Sequence, residues 1–197
     1  RGWLSGAVAT EKDPGEQSLV DHRAGYLDLK HPNGASLLLG DFRPGFGLGL
    51  VYARQTRSSI EPTRAGVTRR TRLGTSGSDE NGALRGGAVQ FPTRFEKGLV
   101  AYARSKWDAA ISETASLRLS GDHAGDAGKS AANQLTERTR LVRFESGDRC
   151  RTIGWLWSRS EFNHPLTLDG ITGNVHNHLG IDAAAQFGQN RLFVEIA

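Results

Sequence analysis

Along most of the chain, apolar residues alternate with polar or small ones, which is the two-residue period of strands and not the 3.6-residue period of helices. Residues 3–10 alternate in this way and run into the turn-like Glu11-Lys12-Asp13-Pro14-Gly15-Glu16. In residues 24–30, Leu27 and Leu29 fall opposite Tyr26 and Asp28. His31-Pro32-Asn33-Gly34 then predicts a tight turn, because Asn-Gly accepts the positive φ of hairpin turns, and residues 35–42 read as the returning strand. In the next segment Phe46, Leu48, Leu50 and Tyr52 share one face, with Gly45, Gly47 and Gly49 on the other. Further strands are expected at residues 84–91, 97–106, 115–119, 152–159, 176–187 and 191–197. Polar, Gly-rich connections such as 75–82 and 121–132 lie between them. Only residues 133–145 read as a possible helix, against their Thr and Arg content.

Short strands separated by turn signals predict an antiparallel all-β protein, a barrel or a sandwich. No fixed-period repeat points to a propeller or solenoid, and no linker divides residues 1–197 into two domains. Residues 56–82 form an Arg-rich block without alternation, longer than connections usually are in a compact domain.

Hydrophobic residues at 37% and charged residues at 23% exclude a typical disordered tail. No apolar run is long enough for a transmembrane helix. The single cysteine, Cys150, excludes an internal disulfide framework and a Cys-built zinc site. The start at Arg1-Gly2-Trp3, without Met, reads as a processed protein or an excised piece of a longer one.

Candidate chemistry is sparse. Gly45-Phe46-Gly47-Leu48-Gly49 lacks the G-x-x-x-x-G-K-[ST] pattern of a nucleotide loop, and alternate glycines more simply give a smooth strand face. His176 and His178, with His164 upstream, have a spacing that holds a metal if a third ligand joins them, although isolated histidines near turns are usually polar surface. No G-x-S-x-G elbow accompanies the serines. The carboxylates Asp79-Glu80 and Glu11, Asp13, Glu16 sit in turn-like contexts that solvation explains. No catalysis, cofactor or resident metal is therefore expected. The cations Arg54, Arg57, Arg64, Arg69, Arg70 and Arg72 are numerous enough to meet phosphates. They lack the interleaved aromatics of single-strand binders, so nucleic acid is not an expected partner. The preferred reading is a ladder of bidentate pairs with Glu61, Asp79 and Glu80.

Three motif groups, in order, carry a resemblance. They are Glu11-Lys12-Asp13-Pro14-Gly15-Glu16; then Gly40-Asp41-Phe42-Arg43 leading into Phe46-Gly47-Leu48-Gly49-Leu50; then Arg64-Ala65-Gly66-Val67, Asp79-Glu80-Asn81 and Leu84-Arg85-Gly86-Gly87-Ala88. Together with Gly180-Ile181-Asp182 and Leu192-Phe193-Val194-Glu195, this order resembles the β-barrel portion of a bacterial outer-membrane protein family often called helix-hairpin-helix proteins. The chain departs from that family's pattern at Leu48, commonly Gln, and at Arg64-Ala65-Gly66, which replaces a tighter Arg-Gly pair. No helix-hairpin-helix module is present in this sequence, so the resemblance carries no DNA-binding role.

The resemblance implies a partial outer-membrane barrel of roughly 8–10 strands. The implied partners are the lipid bilayer and the remaining strands of a longer parent chain, because the end at Glu195-Ile196-Ala197 lacks the terminal aromatic of complete barrels. A pore, transport or scaffold role would follow, with the solute unspecified. Barrel strands need only alternate apolar-out and polar-in, so a mean hydropathy of −0.45 is no obstacle. Under this reading Leu48, Leu50, Leu99, Ala101, Ile153 and Trp155 face lipid, and Arg85, Arg104 and Arg159 avoid the lipid midplane. Glu61, Arg64, Arg69, Arg70, Arg72, Asp79 and Glu80 would form a polar plug in the lumen or at one mouth. The competing reading is a soluble β-sandwich that binds carbohydrate or another ligand on a platform of Trp107, Trp155 and Trp157.

Overall fold

The computed structural model of the chain describes residues 3–11, 22–46, 51, 73–76, 83–93, 96–117, 130–147, 151–168, 170–187 and 190–197. Among them are eleven strands: β1 (Leu4–Glu11), β2 (His22–Lys30), β3 (Ser36–Phe42), β4 (Leu84–Thr93), β5 (Glu96–Trp107), β6 (Ala109–Ile111), β7 (Ala115–Leu117), β8 (Leu135–Gly147), β9 (Arg151–Leu168), β10 (Ile171–Phe187) and β11 (Asn190–Ile196). Nine of them form one antiparallel meander in the order β1-β2-β3-β4-β5-β8-β9-β10-β11. The short β6–β7 hairpin lies off that path and touches β9 through one parallel pair, Ala115 with Leu166. The expected all-β, antiparallel class is what the chain adopts, as an open sheet and not a closed ring.

The β2–β3 turn forms as its sequence predicts. His31 N–H donates to the Ala35 carbonyl at 2.8 Å, Asn33 Oδ1 accepts from Ala35 N–H at 2.9 Å, and Gly34 supplies φ +91°. A second glycine bends β3. Gly40 has φ +106°, and its Cα lies so close to Gly25 and Tyr26 that a Cβ would overlap the Gly25 carbonyl. Beyond Gly40, β3 stops pairing with β2 and takes residues 73–76 instead: Arg43 N–H donates to the Leu73 carbonyl and Thr75 N–H to the Asp41 carbonyl, both at 3.0 Å.

The possible helix at residues 133–145 is corrected: most of that segment is strand β8, paired along its length with β5 and β9. Phe46 and Val51 lie outside any strand, and residues 47–50 and 52 are outside the described residues.

Burial alternates along each strand and defines an inner face. Leu38, Phe42, Leu84, Ala88, Leu99, Ala101, Ala103, Leu141 and Leu156 come from five neighbouring strands and form one cluster, completed by Leu73. Phe46, Val51 and Tyr26 pack against it, so parts of the 43–83 connection lie over the inner face. A second cluster, Ala109, Ala115, Leu135 and Leu166 with Trp107, Leu117 and Phe162, sits where β5 ends and β8 begins.

Candidate functional site

The inner face is mixed, with ion pairs set among small residues. Arg143 on β8 is buried and donates to Asp182 on β10 through two bonds, 2.6 Å and 3.1 Å, and to Glu145 at 3.3 Å. The pair is bidentate, the stronger form of Arg–carboxylate contact. It crosses β9 at Gly154, which the register places between Glu145 and Asp182. A Cβ there would run into Arg143 Nη2 and lie 2.6 Å from Asp182 Oδ2. The Arg143 guanidinium also stacks 4.7 Å from the centre of the Phe46 ring. Further along, buried Glu137 accepts from Trp107 Nε1 at 2.8 Å, Thr139 at 2.8 Å and Ser160 at 2.6 Å. Ser158 Oγ beside them is buried and has no hydrogen-bond partner among the described residues.

The outer face has the opposite character. Cross-strand registers join its residues into continuous rows. One row is Leu4, Leu29, Leu37, Val89, Val100, Val142, Trp157 and Leu179, from β1 to β10. The next is Phe91, Gly98, Phe144, Trp155, Ile181 and Ile196, with Phe144 and Trp155 stacked at 6.0 Å and 21°. Several members stand open: Val100 is 45% exposed, Leu179 55% and Ile196 70%. A scatter of exposed apolar residues is ordinary; contiguous rows across a whole sheet are not.

Toward one end of the strands the outer face turns abruptly basic, at Arg23 on β2, Arg85 on β4, Arg104 on β5, Arg138 and Arg140 on β8, and Arg159 on β9. Arg85 covers buried Asp41 with bonds of 2.7 Å and 3.1 Å. Glu161 receives Arg140 at 3.3 Å and Arg159 at 2.9 Å. The boundary does not follow one register row. The row of Arg159 passes through Arg140, Tyr102, Gly87, Leu39 and Leu27, four residues along β2 from Arg23. Four residues of ~3.3 Å against five strand spacings of ~4.8 Å is an incline of about 30°.

The connections are sorted the same way. At the apolar end they are short: residues 31–35, 94–95, 148–150 and 188–189. At the basic end lie 12–21, 43–83 and 108–134, and the two longest strands, β9 and β10, meet there through 169–170.

The expectation for lipid-facing residues is corrected in part. Ile153 and Trp155 face outward, but Leu99 and Ala101 are each 5% exposed and belong to the inner cluster, while Val100 and Tyr102 take the outer face. Arg85, Arg104 and Arg159 stand on the outer face beyond the apolar rows. Leu48 and Leu50 lie outside the described residues, as do Glu61, Arg64, Arg69, Arg70, Arg72, Asp79 and Glu80. The three-tryptophan platform does not assemble: Trp155 and Trp157 are on the outer face, whereas Trp107 points inward to Glu137. His176 and His178 share a face, but His176 is buried edge-on to Phe162, with Nε2 3.1 Å and 3.0 Å from the carbonyls of Leu166 and Gly173. Two carbonyl neighbours require a proton on Nε2, which removes that nitrogen as a metal ligand. Among the described residues no group of three His, Cys, Asp or Glu is arranged to hold a metal ion. No helix among them is long and apolar enough to cross a membrane, which does not bear on crossing by strands.

No protein-family model, curated protein or solved structure matches the chain.

Proposed function

We propose that the chain is an integral outer-membrane β-barrel segment whose outer face meets lipid, with a pore, transport or scaffold role and no catalysis. The observation that carries this reading is the in-register apolar surface of β1–β11, bounded by arginines at one end. A soluble open sheet keeps one face polar. Here the inner face is already packed, and the outer face has apolar rows that none of the described residues covers.

Two further features support it. The boundary between apolar and basic residues crosses the register at about 30°, close to the 35–45° tilt of strands in membrane barrels. Short connections at one end and long ones at the other follow the turn-and-loop asymmetry of such barrels. On this reading the long-connection end faces the cell exterior, and further strands of a longer parent chain would complete the ring between β1 and β11. The inner cluster, with Phe46, Val51 and Leu73 over it, favours an occluded interior and hence a scaffold or a gated path.

The test is solubility and insertion of the chain. It should require detergent to stay monodisperse and should float with phospholipid vesicles, resisting carbonate extraction. A clean monomer in plain buffer that stays off vesicles would overturn the proposal.

A further inference from the structure

The outer-face arginines are arranged against their own electrostatics. Arg104 and Arg138 are direct cross-strand partners, and so are Arg140 and Arg159. Like charges directly opposite on one face destabilise a strand pair. The second pair shares Glu161. The first makes no ion pair among the described residues, although Glu161 is also the register partner of Arg138 on β9. With Arg23 and Arg85, six arginines occupy this belt, and among the described residues the carboxylates that pair with them are Asp41, buried under Arg85, and Glu161. Among the described residues this is six cations against two anions, an excess of positive charge that suits an anionic partner.

The belt also sits at a particular depth. It begins where the apolar rows stop, next to Tyr102 and Trp157, and runs along the same incline across β2 to β9. We infer that it is a docking surface for the phosphates of anionic lipid headgroups in the leaflet at the long-connection end, with the Arg104–Arg138 pair clamping one phosphate between its two guanidinium groups. Arginine suits this role because its planar fork bonds phosphate oxygens bidentately. Residues on the apolar side would hold the acyl chains of the same lipids, so the lipid is recognised at both ends. The inference rests on the membrane reading above and adds which lipid chemistry the surface selects.

Trp155 and Trp157 lie on the outer face beside the belt and provide the readout. The full chain is folded into phosphatidylcholine vesicles containing a minority of phosphatidylglycerol, and tryptophan fluorescence is quenched by bromine placed on the acyl chains of one lipid or the other. The wild type should prefer phosphatidylglycerol by about tenfold. Arg104→Gln/Arg138→Gln should lose most of that preference while still being quenched by phosphatidylcholine, and Arg104→Lys/Arg138→Lys, which keeps the charge but not the bidentate fork, should retain part of it. Efficient quenching by both lipids without preference in the wild type would overturn the headgroup inference and leave the membrane reading standing. An undiminished preference in the Gln variant would show that the Arg104–Arg138 pair does not carry it, with the same consequence. If soluble phosphate abolishes the preference where chloride of equal ionic strength does not, the surface takes a free anion and not a lipid. No quenching by either lipid would overturn both readings together.

Discussion

Arg143 holds Asp182 from two strands away, its guanidinium passing over Gly154 because that residue has no side chain to stop it. One side chain thereby ties β8 to β10 across β9, on the face where the apolar cluster also lies. The side chains of Arg143 and Asp182 are only 6% and 15% exposed, so neither charge has water to fall back on.

Replacing one partner should therefore cost more than a surface ion pair is worth. Asp182→Ala leaves a buried guanidinium whose remaining carboxylate among the described residues is Glu145 at 3.3 Å, with the Phe46 ring over it. The expected loss is about 3 kcal/mol, measured as the shift in urea midpoint of the protein folded in detergent micelles. Glu145→Gln, which removes the weaker contact, should cost less than half as much. Equal effects would mean that Asp182 is not the main partner.

Gly40 and Gly34 separate backbone conformation from close approach. Both have positive φ, but nothing lies within 4 Å of a Cβ on Gly34, whereas Gly40 abuts Gly25 and Tyr26. Gly34→Ala should cost roughly 1–2 kcal/mol, the ordinary penalty of a left-handed residue. Gly40→Ala should exceed it clearly and should also loosen residues 73–76 from β3, read as faster amide exchange at Arg43 and Thr75.

Val100 stands in the middle of the longest outer row. Val100→Arg should cost about 2–4 kcal/mol for folding into a bilayer. In water an exposed substitution of this kind stays within about 0.5 kcal/mol. A small effect in vesicles would place Val100 away from lipid.

Arg69→Glu/Arg70→Glu addresses the plug proposed from the sequence. If the interior conducts, the wild type should favour anions, since Arg64, Arg69, Arg70 and Arg72 outnumber Glu61, Asp79 and Glu80. The double variant should move the reversal potential toward cation selectivity in planar bilayers. An unchanged reversal potential removes the selectivity, and the absence of current in both proteins favours a scaffold.

Most strands were legible because one of their faces is apolar and the other is not. Strand β8 was not, since at its start both faces are polar: Glu137 and Thr139 point inward, Arg138 and Arg140 outward. A two-residue period leaves no contrast there. The assignment of faces failed at β5 for a different reason. In Leu99-Val100-Ala101-Tyr102 both parities are apolar, and only pairing with Val89 and Val142 decides that Val100 faces out. The tryptophans show the same limit, since nothing local tells Trp107 that Glu137 waits on the inner side. The basic belt was invisible for want of register: Arg85, Arg104, Arg138, Arg140 and Arg159 are spread over 75 positions and become neighbours only when the meander aligns them.

The uneven connections also set the order in which the sheet assembles. Closing the loop over residues 43–83 costs on the order of 3 kcal/mol more chain entropy than closing 94–95. The chain accordingly divides into three units that form from near neighbours, β1–β3, β4–β5 and β8–β11, with slow seams at β3–β4 and β5–β8. The β4–β5 hairpin belongs to both seams, so it must find its place between two larger preformed pieces. Until it does, the edges of β3 and β8 are bare templates for the wrong strand, from this chain or another.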